Sequence, residues 1–173
     1  MHALPGFREE CGAWVRSQGD WLTCQPRTYM NRSGSAVRCL CESHGLEPGA
    51  VLVVYDDIHL PLGRLRSRAG GSAASHRGLE SIIEALQTEA IPRLCLGIGA
   101  PPPGLGSGLG EPGLSEYVLS AFLPEEMAVV EEMVGRAARA VTEWLRSGID
   151  AAMNLANAPD LPASDLLDGT KSE

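Results

Sequence analysis

The stretch that decides the fold is Val51-Leu52-Val53-Val54-Tyr55-Asp56-Asp57, an apolar run rich in β-branched residues that ends on two carboxylates. Such a run predicts a buried central strand, and its continuous apolar character favours a parallel neighbour. In open α/β sheets, sites form just beyond the carboxyl ends of the strands. Asp56 is therefore a candidate site residue. A turn or capping role is the alternative, and it weighs more for Asp57.

The residues that follow continue an α/β pattern. Residues 64–68 alternate with period two, which predicts a strand with three arginines on one face, Arg64, Arg66 and Arg68. The alternative is an ordinary solvated face of an edge strand. Residues 75–86 predict a helix with apolar residues at helical spacing, Leu79, Ile82, Ile83 and Leu86. Its start carries His76 and Arg77, and helix N-termini suit phosphate. Residues 94–98 predict another buried strand.

The flanking segments are less uniform. Residues 1–20 are weakly patterned, and 21–24 predict a short strand that stops at Pro26. Residues 36–44 predict a helix, with Asn31 or Ser33 as its N-cap and Gly45 as its end. Residues 100–113 are dense in Gly and Pro and predict a flexible loop.

A long helix is predicted from Pro124 to about Leu145. Its apolar stripe is Met127, Val130, Val134, Ala137, Ala138, Val141 and Trp144. Polar residues without periodicity follow it. We therefore expect a single domain over residues 1–156 and a disordered tail over 157–173.

Composition restricts the class of protein. With 173 residues and 44% hydrophobic residues, the chain fits one domain with a real core. No apolar run reaches the roughly 18 residues of a membrane span, and no signal peptide is recognisable. These observations predict a soluble, cytoplasmic protein.

The net charge of −8 is unevenly distributed. Residues 111–173 hold twelve acids and four bases, whereas residues 1–110 hold ten of each. Within the neutral part, residues 63–79 contain four arginines and no acid. A local basic patch of this kind can bind phosphate on an acidic protein, because salt screens charges beyond about 8 Å.

The five cysteines are odd in number and irregular in spacing, which argues against a disulfide framework. We expect small buried thiols instead. No CxxC or HxxxH spacing is present, so we expect no metal and no other cofactor.

Five segments together resemble the bacterial-type peptidyl-tRNA hydrolase family. Residues 25–34 (QPRTYMNRSG) resemble its K-P-x-T-Y-M-N-x-S-G, and residues 54–64 (VYDDIHLPLGR) resemble V-x-D-D/E-x-D-x-P-x-G. Residues 70–79 (GGSAASHRGL) resemble G-G-S-x-G-G-H-N-G-L. Residues 92–99 (PRLCLGIG) and 118–122 (VLSAF) resemble the final strand and the stretch before the last helix.

The resemblance implies a monomeric α/β domain, a mixed twisted sheet flanked by helices, that cleaves the ester between peptide and tRNA without a metal. A histidine base activates water, and a carboxylate, here Asp56, orients it. Seven residues match positions that contact peptidyl-tRNA: Tyr29, Met30, Asn31, Arg66, Arg68, His76 and Arg77.

The chain departs from the family pattern at several points. The G-N-P-G and T-R-H-N segments, which carry the family's first strand and its histidine base, do not occur in the 173 residues. Arg77 stands where the family has a substrate-binding asparagine, His59 replaces the second acid of D-x-x-D, and Ala100 replaces an arginine. We therefore expect the catalytic base and the first strand to be missing from this chain.

Three hypotheses account for these departures. The true start lies upstream, or the gene is a degraded copy, or the protein is an RNA-binding relative that has lost catalysis. The Arg77 and Ala100 changes favour the last two.

Overall fold

In a computed structural model, the chain is described over residues 5–102 and 113–158. It contains the strands β1 (Arg8–Glu10), β2 (Ala13–Gln18), β3 (Trp21–Pro26), β4 (Val53–Asp57), β5 (Leu65–Arg68) and β6 (Arg93–Gly97). The helices are α1 (Ser33–His44), α2 (Arg77–Leu86), α3 (Leu114–Val118), α4 (Met127–Ser147) and α5 (Ile149–Ala156). Single 3-10 turns occupy Met30–Arg32 and Pro48–Ala50. The predicted α/β class is confirmed.

The described residues divide into two compact units. The first takes the residues up to Val53 together with Arg68–Arg93, and the second takes Val54–Ser67 and the residues from Leu94 onward. The predicted loop over 100–113 and the predicted tail fall largely on 103–112 and 159–173, which lie outside the described residues.

The first unit contains an antiparallel sheet in the order β1-β2-β3. Glu10 pairs with Ala13 across a turn at Cys11 and Gly12, both with positive φ, and Gln18 pairs with Trp21. Ala13 and Val15 are fully buried and pack with Ala36 and Leu40 of α1. The predicted strand ending at Pro26 is confirmed. Residues 1–20 are weakly patterned although they contain β1 and β2, because so short an amphipathic hairpin points few large apolar side chains inward.

Helix α1 ends at Gly45, whose φ of 63° is left-handed and suits glycine, as predicted. Its N-cap is Arg32, whose side chain makes no capping hydrogen bond, rather than Asn31 or Ser33. Asn31 lies in the preceding 3-10 turn, and the Ser33 hydroxyl donates back to the carbonyl of Met30 at 2.9 Å. The N-cap prediction was therefore wrong.

The second sheet has the order β4-β6-β5. Val53 N–H donates to Pro92 C=O at 2.9 Å, and Ile98 N–H donates to Asp57 C=O at 3.1 Å. These bonds join like ends of β4 and β6, so the two strands are parallel. Gly97 N–H donates to Arg64 C=O at 2.7 Å. That bond joins the end of β6 to the start of β5, so this pair is antiparallel and the sheet is mixed, as expected.

Strand β4 occupies a different place from the one predicted. Within the described residues β6, not β4, is the middle strand, and Val54 is 48% exposed. The prediction of a buried central strand was wrong on both counts. An apolar sequence predicts burial only where another element covers the strand, and no described element covers Val54 fully.

The second unit also holds helices α3 to α5. Helix α4 packs against α5 and buries Val130, Met133, Ala137 and Ala140. The predicted stripe was right at Val130 and Ala137, but Met127, Val134 and Ala138 are exposed. The buried face therefore includes Met133 and Ala140, which were not predicted, and neither was helix α5.

A disulfide contradicts the expectation of free thiols. Cys11, in the β1–β2 turn, is bonded to Cys39 of α1, and their Cα atoms are 5.7 Å apart. Spacing could not show this pair, because only the packing of the hairpin on the helix brings the two residues together. The expectation holds for Cys41 and Cys95, which form no disulfide and are buried, while Cys24, also outside the disulfide, is half-buried.

Candidate functional site

The first unit brings two of the predicted substrate residues to one cavity. Asn31, from the turn before α1, and Arg77, at the first residue of α2, line a cavity of about 300 Å³ together with Glu80, Ser81 and Glu84. An amide that both donates and accepts and a guanidinium that only donates therefore meet at one polar surface. Because Glu80 and Glu84 place two carboxylates beside Arg77, the surface suits a ligand that offers both hydrogen-bond donors and acceptors.

The side chains next to Asn31 have contrasting environments. Tyr29 is 81% exposed, so its ring is available for stacking against a base. Met30 packs on the start of α2, since a Cβ atom placed on Gly78 would lie 2.4 Å from its sulfur. The Met30 sulfur thus contacts α2 although the residue is 54% exposed, and Tyr29 and Asn31 are exposed as well.

His76 begins α2 as its N-cap. Its Nδ1 accepts the Leu79 N–H at 3.1 Å, so the side chain satisfies one of the free N–H groups at the start of the helix. An Nδ1 that accepts a hydrogen bond carries no proton. Arg77 follows it and is exposed. The predicted helix is confirmed, with Leu79 and Ile82 as its buried residues.

The side chain of Arg93 holds the loop that precedes α2 in place. This side chain is 2% exposed, and its guanidinium donates to four backbone carbonyls, those of Gly71, Ser72, Glu89 and Ile91. Further along the loop, Ala74 and Ser75 have φ values of 45° and 69°. The matching family positions are glycines, so this chain holds a costly backbone conformation beside its candidate site.

The second unit holds Asp56 at the end of β4. Its neighbour Asp57 accepts the His59 N–H at 2.8 Å, which confirms a turn role for Asp57. Within the described residues the Asp56 carboxylate accepts no comparable hydrogen bond, and it is half-buried. His59 is exposed at the turn. Nearby, Tyr117 donates to the carbonyls of Ile98 and Gly99, and partial burial raises the pKa of its hydroxyl.

The predicted arginine strand is confirmed as β5. Arg66 and Arg68 are exposed on one face, and Leu65 and Ser67 are buried on the other. Arg64 precedes the strand and is half-buried, so two rather than three arginines form the exposed row.

The titratable side chains of His44, Glu10, Cys24 and Cys41 make contacts that serve the fold rather than a reaction. His44 lies 2.7 Å from Glu10, and this hydrogen bond lowers the pKa of the Glu10 carboxyl. Burial raises the pKa of Cys24 to about 11 and also raises that of Cys41, so neither is a reactive thiolate. Among the described residues, no three His, Cys, Asp or Glu side chains converge as metal ligands would. No helix of the described chain is long and apolar enough to span a membrane.

Sequence reasoning missed two residues that shape the site, Ser81 and Arg93. Ser81 carried no signal, because a serine within a helical pattern reads as a surface residue. Arg93 had one, because an arginine at the start of an apolar strand must find several acceptors if it is buried.

Fold and site together define an α/β protein with a polar pocket and an exposed arginine pair. A family model described as Peptidyl-tRNA hydrolase matches residues 3–164. The protein named peptidyl-tRNA hydrolase from Synechococcus sp. (strain JA-3-3Ab) is 46% identical over 162 residues, 94% of this chain and 69% of that protein. The one from Thermus thermophilus is 44% identical over 156 residues, 90% of this chain and 81% of that protein.

A solved structure is similar as well. The crystal structure of peptidyl-tRNA hydrolase from Acinetobacter baumannii superposes with a TM-score of 0.69 at 26% identity, covering 84% of this chain and 71% of that one. This chain belongs to the peptidyl-tRNA hydrolase family.

Proposed function

We propose that the chain binds peptidyl-tRNA and that, in its 173-residue form, it hydrolyses the peptide–tRNA ester slowly. The observation that carries the binding proposal is the shared cavity of Asn31 and Arg77, two residues from separate family segments. In this proposal Asn31 holds the end of the substrate, Tyr29 stacks on its terminal base, and Met30 supports both.

The arginine pair of β5 supplies the contact with the tRNA backbone. Arg66 and Arg68 are exposed on one face of the strand, and their spacing suits successive phosphates. Arg77 contributes a further cation at the start of α2. His76 supports that helix start by capping it, and Arg77 cannot replace the acceptor that an asparagine would offer there.

Ester hydrolysis needs a base that takes a proton from water as the water oxygen attacks the ester carbon, after which the ribose hydroxyl leaves. Histidine fits this task near neutral pH. Asp56, at the end of β4, is placed to orient an imidazole. Each histidine of the described chain has another setting: His44 is paired with Glu10, His59 is exposed, and His76 caps α2. This supports slow turnover.

A non-catalytic RNA-binding role on the same scaffold is the second candidate. The guanidinium of Arg77 favours it, since it stands in place of the asparagine, and its acceptor oxygen, that a hydrolase site would use. Both candidates share the tRNA surface and differ only in turnover.

The cellular setting is also part of the proposal. We place the chain in the cytoplasm, as a monomer whose partner is peptidyl-tRNA. Disulfides are uncommon in a reducing cytoplasm, so Cys11 and Cys39 would be thiols there and become bonded under oxidation.

The first experiment measures binding. The Arg66→Ala, Arg68→Ala variant should bind tRNA more weakly in a filter assay, with a salt slope smaller by about 0.7–0.9 for each phosphate that is no longer neutralised. The control is Arg139→Ala, Arg146→Ala, which removes two exposed arginines of α4. An unchanged slope in the β5 variant would exclude this surface.

The second experiment measures turnover as release of labelled peptide from peptidyl-tRNA under single-turnover conditions. The chain should react at least ~100-fold more slowly than the Thermus thermophilus protein, since losing a general base costs about 10²- to 10⁴-fold. Adding an upstream segment with the family histidine should restore part of the rate, and Arg77→Asn should restore more. A normal rate that His76→Ala or His59→Ala abolishes would show that the base has been relocated.

A further inference from the structure

The segment that carries Asn31 is a single 3-10 turn, Met30–Arg32, and such a turn is too short to hold a side chain in place by itself. Asn31 is exposed, and the residue that caps α1, Arg32, offers no side-chain acceptor. The first N–H groups of α1 therefore need partners from elsewhere. The position of Asn31 depends on which groups supply them.

Helix α2 supplies one such partner. The Gly34 N–H donates to Ser81 Oγ at 3.0 Å, so a hydroxyl from the neighbouring helix does what an N-cap side chain does. The two helices are very close here, because a Cβ atom on Gly34 would lie 2.0 Å from the Ser81 carbonyl oxygen. The start of α1 is thus fixed against the second turn of α2.

The residue that precedes Asn31 also contacts α2. The Met30 sulfur lies over Gly78 in the first turn of α2. The Ser33 hydroxyl then ties the Met30 carbonyl to the start of α1 at 2.9 Å. Asn31 is therefore bracketed by two attachments, Met30 on Gly78 and Gly34 on Ser81, and Ser81 lines the same cavity as Asn31 and Arg77.

We propose that Ser81 is a positioning residue that fixes Asn31 relative to Arg77, so that the cavity is formed before the end of the substrate enters it. This inference rests on the proposed function of Asn31. Ser81 acts through the Gly34 N–H and needs no contact with the substrate. Its loss should weaken recognition of the esterified tRNA end and leave the phosphate contacts of β5 intact.

The test is a double-mutant cycle read as binding. The probe is tRNA that carries an N-acetylated amino acid through a non-hydrolysable 3′-amide, compared with the same tRNA deacylated. Asn31→Ala should weaken binding of the amide probe by about 10-fold, the order of one hydrogen bond. Ser81→Ala should weaken it by about 3- to 10-fold with an unchanged salt slope. In the Asn31→Ala background, Ser81→Ala should have no further effect.

Two controls separate positioning from a general loss of structure. Ser81→Thr keeps the acceptor oxygen, so it should restore both the affinity and the Gly34 amide resonance, which Ser81→Ala should shift. Ser35→Ala removes a hydroxyl of α1 that donates to the Arg32 carbonyl, and this variant should bind normally.

The outcomes distinguish the inference from the function on which it rests. If Asn31→Ala binds the amide probe normally, the proposed role of Asn31 is wrong and the inference is overturned with it. If Asn31→Ala weakens binding but Ser81→Ala does not, or if the two effects add, the function stands and the positioning role of Ser81 is overturned. An unmoved Gly34 resonance in Ser81→Ala also overturns it.

Discussion

Over residues 5–102 and 113–158, the two sheets have three strands each but are stabilised by different means. In the first, successive strands pair across tight turns, and a disulfide joins the β1–β2 turn to α1. In the second sheet, the strands that pair are distant in sequence. Backbone hydrogen bonds join them, and the Ser67 N–H of β5 also donates to the side chain of Asn157, which follows α5. Residues 1–20, which are weakly patterned, thus contribute two strands to the sheet that carries a covalent crosslink. A weak sequence pattern therefore does not predict a weakly stabilised element.

The tryptophans allow the two units to be followed separately. Trp14 and Trp21 lie in the first sheet, and Trp144 lies in α4. A Trp144→Phe background reports on the first unit, and a Trp14→Phe, Trp21→Phe background reports on the second. Fluorescence in these two backgrounds shows which unit a further substitution destabilises.

The largest effect should come from the disulfide. Cys11 and Cys39 are 28 residues apart, so opening the loop should lower the free energy of unfolding by about 3–4 kcal/mol in the chain-entropy account. Urea unfolding with and without dithiothreitol measures it, and only the first-unit transition should shift. Cys11→Ser, Cys39→Ser is the matched control, since reductant should not affect it. Alkylation after denaturation should count three thiols in the oxidised protein and five in the reduced one. Five thiols in unreduced protein would show that the bond does not form.

The next effect concerns two glycines at close backbone contacts. A Cβ atom would lie 2.0 Å from the Ser81 carbonyl oxygen at Gly34, and 2.1 Å from that of Pro61 at Gly97. Gly34→Ala should destabilise the first unit, and Gly97→Ala the second, each by about 3 kcal/mol, at the upper end of ordinary overpacking. Gly49→Ala is the control, because no atom lies within 4 Å of its Cβ position. If both variants shift both transitions equally, the two units do not unfold separately.

A smaller effect is expected at Asn157. Its side chain accepts the Ser67 N–H at 2.8 Å and donates to the Ser67 carbonyl at 3.0 Å, as a neighbouring strand would. Ser67 is 1% exposed, so Asn157→Ala should leave two backbone groups poorly paired and cost the second unit about 1–2 kcal/mol. Asn154→Ala, at an exposed position of α5, should change stability by less than about 0.5 kcal/mol. If Asn157→Ala and Asn154→Ala change stability equally, the Asn157 side chain does not stabilise β5 through Ser67.

The smallest effect should be a gain in stability. Ala74 and Ser75 hold left-handed φ values, which cost roughly 1–2 kcal/mol for a residue with a side chain. A glycine removes this strain, but its greater conformational entropy in the unfolded chain lowers the free energy of unfolding by about 0.5–1 kcal/mol. Ala74→Gly and Ser75→Gly should therefore each stabilise the first unit by about 0.5–1 kcal/mol in a thermal melt. Ala73→Gly, where φ is not positive, should destabilise it. A loss of stability in the first two variants would mean that the loop is unstrained.

The sequence by itself determined the elements with strong periodicity or a strong composition signal. The apolar runs predicted β4 and β6, the alternating arginines predicted β5, and the helical spacing of Leu79 and Ile82 predicted α2. These signals are local, because each strand or helix shows its own period before any partner is known. The motif segments identified the family for the same reason, since each is read within a few consecutive residues.

The tertiary structure alone decided what joins those elements. Neither the Cys11–Cys39 bond, nor the Ser81 acceptor beneath Gly34, nor the exposure of Val54 can be read from spacing. Each depends on which surfaces of two distant segments meet. A periodic pattern fixes which face of a helix or strand is apolar, but it leaves open what will cover that face, and only the packing of the whole chain settles that.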